Sequence, residues 1–160
     1  MSIYVQAVTP SGNPLFPQCG SRDIAGDASN LSESGGADFS IAHSFTLDIA
    51  QPHDQATHSR NSAHAQHCLS FVIPAYEPAQ AAILNVINQN ETIQKLVMHN
   101  AQRKGSSQSH INATLTAKNG SLIDYSYTAQ GTIVLGFVFE SISHDNKQTH
   151  TTGAYSAAVR

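Results

Sequence analysis

Hydrophobic and polar positions alternate over much of this 160-residue chain, and a period of two marks a strand with one buried face. Residues 2–8, SIYVQAV, predict a short first strand. From Phe39 to Ile49 the alternation puts Ile41, His43, Phe45, Leu47 and Ile49 on one face and Ala42, Ser44, Thr46 and Asp48 on the other. His43 is therefore expected as a partly buried, hydrogen-bonded histidine. HCLSFVIP repeats the pattern with His67, Leu69, Phe71 and Ile73 until Pro74 ends the strand. These two strands and the polar run between them predict a hairpin with an extended tip. The period then changes in EPAQAAILNVINQN, where Pro78 suits a first helical turn and Ala79, Ile83, Val86 and Ile87 share one helical face. That stripe must be buried against the strands.

The remainder reads as strand after strand. IQKLVMHNAQ carries Leu96 and Met98 on one face, KGSSQ turns, and HINATLTA runs to Asn119-Gly120, a dipeptide that predicts a hairpin reversal. SLIDYSYTA returns along Ile123, Tyr125 and Tyr127. In GTIVLGFVFESIS, Ile133, Leu135, Phe137 and Phe139 alternate with Val134, Gly136 and Val138, so both faces are apolar. Such a strand is central or packed on both sides, and the four larger side chains are candidates for packing between subunits. Residues 9–38 form a long Gly-, Pro- and Ser-rich loop, expected as a contact surface. The tail, 144–160, lacks a core period and is expected on the surface. The fold class is thus mainly β: a small β-barrel or two-sheet β domain with one flanking α-helix and long loops. One domain is expected over 1–160, with 39–145 as its best-defined part.

Charged residues make up only 12% of the chain and the net charge is -3 with eight Lys plus Arg, so no basic stripe is available for nucleic acid. The opening MSIYVQAVTPSG has neither the basic start nor the apolar run of a signal peptide, and no stretch is apolar enough to insert in a bilayer. Synthesis in the cytoplasm, without membrane insertion, is the expectation. Cys19 and Cys68 have no C-x-x-C relation and are expected reduced. The N-x-S/T triplets at Asn30, Asn90, Asn112 and Asn119 are attributed to chance in a chain rich in these residues.

The tip between the first hairpin strands, QPHDQATHSRNSAHAQH, concentrates His53, His58, His64 and His67 ahead of Cys68. Metal ligands converge through spacings such as H-E-x-x-H or paired C-x-x-C, and neither is present. Polar residues surround the histidines without apolar period, so a solvated loop without metal or cofactor is expected. No nucleophile elbow, phosphate loop or paired carboxylates at a telling spacing accompany it, and the chain is not expected to be an enzyme.

The order SIAHSFTLDI, long polar loop, HCLSFVIP, PAQAAILNVINQ, QKLVMHNAQ, HINATLTA, SLIDYSY, TIVLGFVFESIS resembles the Hcp family, the haemolysin-coregulated tube proteins of bacterial type VI secretion. The Trp-containing motif that many members carry near the second strand is missing. The resemblance implies homo-hexameric rings stacked into an inner tube that a contractile sheath expels. The partners it implies are other copies of the chain, the sheath, tube-tip spike proteins and secreted effectors, with export through that apparatus. It also implies that residues 50–66 reach the adjacent ring, making His53, Asp54, His58, Arg60 and His64 an inter-ring contact loop. A phage-like tail tube, or a soluble β-barrel or sandwich module binding a ligand through its loops, is the alternative.

Overall fold

A computed structural model describes residues 2–20, 38–50, 66–104, 108–146 and 149–156. Within them the chain runs β1 (Ser2–Val8), β2 (Ser40–Ala42), β3 (Ser44–Ala50), β4 (Gln66–Pro74), α1 (Glu77–Gln89), β5 (Ile93–Lys104), β6 (Gln108–Tyr127), β7 (Thr132–Asn146) and β8 (Thr151–Ser156). The strands form one antiparallel sheet in the order β2-β1-β5-β6-β7-β4-β3, with β8 pairing β7 off this path. The hydrogen-bonded ladder does not close into a barrel. Its two ends are nevertheless successive segments of one stretch, Ser40–Ala50, bent at His43, whose backbone N–H donates to the Val72 carbonyl at 2.8 Å. The sheet therefore curls around a single apolar interior.

That bend corrects the expected faces of the 39–49 strand. Ser40 and Ala42 point into the interior on one side of it, while Phe45, Leu47 and Ile49 hold the inward row on the other, and His43 is exposed. A continuous alternation assumes a continuous strand, and one bent residue shifts the phase by one. β3 and β4 do form the expected hairpin, from Ser44↔Val72 to Ala50↔Gln66.

Asn119-Gly120 does not reverse the chain as expected. β6 continues through it as one strand of 20 residues, pairing β5 up to Gly120 and β7 from Ala113 to Tyr127. Asn119 takes a left-handed φ of 55°, which Asn and Gly tolerate better than other residues, and here it kinks a long strand instead of turning it. Gly120 has no room for a side chain, since a Cβ would overlap the Phe139 ring and the Val138 carbonyl. The reversal lies further on, at Thr128–Gly131. There Gly131 has φ +75° and the Thr128 N–H donates to the Thr132 carbonyl at 2.9 Å. A register shift between Leu122 and Asp124 also lifts Ile123 out of the expected row; Leu122 and Tyr125 pack against the core, while Ile123 and Tyr127 are exposed.

Pro78 lies in the first turn of α1, and the helix ends on Asn90 in the left-handed conformation, with the Glu91 N–H closing on the Val86 carbonyl at 3.0 Å. Ala79, Ile83 and Val86 are buried as expected, but Ile87 is not; it lies beside Leu84 on the outer face, and the two keep 46% and 50% of their surface exposed. Residues 9–20 depart from the expected surface loop. Leu15 and Phe16 are fully buried, and the Leu15 N–H donates to the Ala7 carbonyl at 2.8 Å, so this segment is a lid on the core. Likewise the tail is a strand in part: β8 pairs β7 from Ser141↔Ser156 to Asn146↔Thr151, with its side chains largely on the surface.

Candidate assembly surface

β7 is the central strand of this surface, held by β6 on one edge and by two successive neighbours on the other. β4 pairs its first half, from Pro74↔Thr132 to Leu69↔Phe137, and β8 pairs its second half from Ser141 onward. The four residues expected to pack subunits together, Ile133, Leu135, Phe137 and Phe139, have at most 2% of their surface exposed within the single chain. The Phe137 ring stacks on Phe71 with centroids 5.5 Å apart and on Phe139 at 5.7 Å, and Phe16 meets Phe71 edge-on at 6.3 Å. These side chains therefore pack inside the subunit. The opposite face of β7 holds Val134 and Val138, both half-buried, with Gly136 between them. Apolarity on two faces was legible, but which of them looks inward depends on where the helix and residues 9–20 settle.

Beyond Leu69 the residues of β4 are paired with β3 alone, and β8 has taken their place along β7. The sheet divides at that point and leaves an apolar groove of about 340 Å³, lined by Phe45 and Leu47 from β3, Leu115 from β6, Ile142 and His144 from β7, and Tyr155 from β8. Phe45 and Ile49 keep 41% and 37% of their surface exposed, unusual for large side chains on the inward row of a sheet. β8 has no charged residue or proline, and β3 has a single Asp48. Charges and prolines are common guards of a strand edge. The alternation of β3 announced apolar side chains here, though not their exposure. The contribution of β8 was missed; its signal was the odd-numbered row Thr151, Gly153 and Tyr155, too short and too weakly apolar to register as a strand.

His53, Asp54, His58, Arg60 and His64 lie outside the described residues. The ladder that carries their loop is described up to its last pairs, Ile49↔His67 and Ala50↔Gln66. Among the described residues no three His, Cys, Asp or Glu side chains gather as a metal site would need, and no helix is long and apolar enough to cross a membrane. His99 Nδ1 lies 3.2 Å from the Thr114 hydroxyl across the β5-β6 pair. Both cysteines are free. Burial pushes the Cys19 thiol up to about 11 from an ordinary 9.0, against the smaller pull of a backbone hydrogen bond at Ala79 and with a still smaller push from the Asp38 carboxylate.

No protein-family model matches the sequence, and no curated protein is recognisably similar to it. Its structure is similar to solved Hcp structures along the whole chain. An Hcp protein crystal structure superposes with a TM-score of 0.74 at 13% identity, over 98% of this chain and 99% of that one. Hcp1 of E. coli EAEC 042 gives 0.71 at 9% identity, over 99% of each chain. The secreted protein Hcp3 of Pseudomonas aeruginosa gives 0.71 at 11% identity, over 96% of this chain and 98% of its own. At these identities the likeness is one of fold, and it bears out the resemblance drawn from element order.

Proposed function

We propose that this chain is a structural subunit of a bacterial type VI secretion system, forming homo-hexameric rings that stack into the inner tube expelled by a contractile sheath. The observation that carries the proposal is coextension: the shared fold spans 96–99% of this chain and 98–99% of the three Hcp chains. The groove between β3 and β8 supports it. A chain with few charges, two weakly guarded strand edges and apolar side chains left open beside them is suited to packing against copies of itself. In this reading its role is mechanical, without catalysis or cofactor. It is made in the cytoplasm and leaves through the apparatus, in contact with the sheath, the tube-tip spike and the effectors carried. In this reading His53, Asp54, His58, Arg60 and His64 belong to the loop that contacts the adjacent ring, and the uncharged polar and imidazole groups that predominate in that loop suit a contact made at little desolvation cost.

Sedimentation and negative-stain microscopy of the purified protein test this reading. Hexameric rings are expected. Replacing residues 51–65 by a short Gly/Ser turn is expected to leave rings intact and abolish their stacking, because loop shortening costs the fold little. A monomer over a wide concentration range would remove the tube proposal; stacked tubes of parental length from the shortened protein would remove the loop's part in it.

A further inference from the structure

We draw no further inference here: the strongest candidate, the apolar groove between β3 and β8 lined by Phe45, Leu47, Leu115, Ile142, His144 and Tyr155, belongs to the surface already assigned to subunit packing, and nothing in the structure shows which segment covers it.

Discussion

Where residues 9–20 and α1 lie over the sheet, Leu15, Phe16, Ala79 and Ile83 keep no exposed surface; where β3 and β8 border it, Phe45 and Ile49 keep 41% and 37%. The two regions are built from the same sheet and the same kinds of side chain. They differ in what the chain supplies to cover them. Over the first, a non-periodic segment inserts two large side chains and a helix adds its stripe, each fully buried side chain contributing on the order of 2 kcal/mol. Over the second, the neighbouring strands part and no described element crosses the gap. Stability is thus concentrated in the sealed region, and the open region is available for association.

The largest effect expected from breaking this comparison is in the sealed region. Phe137→Asp would put an unpaired carboxylate between Phe71 and Phe139, where Phe137 has no exposed surface. Loss of the ring and burial of the charge together should cost roughly 4 kcal/mol or more, a large share of the ~5–15 kcal/mol that holds a typical domain together. Thermal unfolding followed by circular dichroism should show no cooperative transition. A native-like melt would mean that Phe137 faces outward after all.

Gly120→Ala tests the strand kink that the Asn-Gly pair makes. The added methyl group meets the Phe139 ring and the Val138 carbonyl, and the strain should cost about 1–3 kcal/mol, read as a lowered urea midpoint with an unchanged slope. Were residues 119–120 a hairpin turn at the surface, the same substitution would leave the midpoint nearly where it was.

In the open region the prediction reverses. Phe45→Ser with Ile49→Ser should shift the subunit's own melting by the equivalent of only about 2 kcal/mol for the pair, since part of each side chain is already in water, while sedimentation is expected to show loss of the proposed ring. Rings that persist in this variant would exclude the β3 row from the contact.

The smallest effect concerns Cys19. Its raised pKa means that the folded state keeps a proton which the unfolded chain releases, so its contribution to stability is whole below pH 9.0 and declines as pH rises from there toward about 11. At pH 8, alkylation should modify half-buried Cys68 well before buried Cys19. Equal rates would show that residues 9–20 open readily, against their part in sealing the core.

By itself the sequence determined most of the described strands, the helix α1 with Pro78 in its first turn, the β3-β4 hairpin and the centrality of β7, because each rests on periodicity or turn chemistry within a dozen residues. Element order was also enough to draw the likeness to the Hcp fold. Tertiary structure alone decided the phase of each strand: the bend at His43, the left-handed Asn119 and the register shift near Ile123 each move a side chain from one face to the other, and a period of two has no tolerance for a single-residue slip. It decided, too, that Leu15 and Phe16 belong to the core although no period surrounds them, and that Ile87 does not although it fits one. The open groove was the least legible feature of all. It exists because β4 and β8 share one edge of β7 in succession, and the line where two strands part is set by long-range pairing that no local stretch of residues encodes.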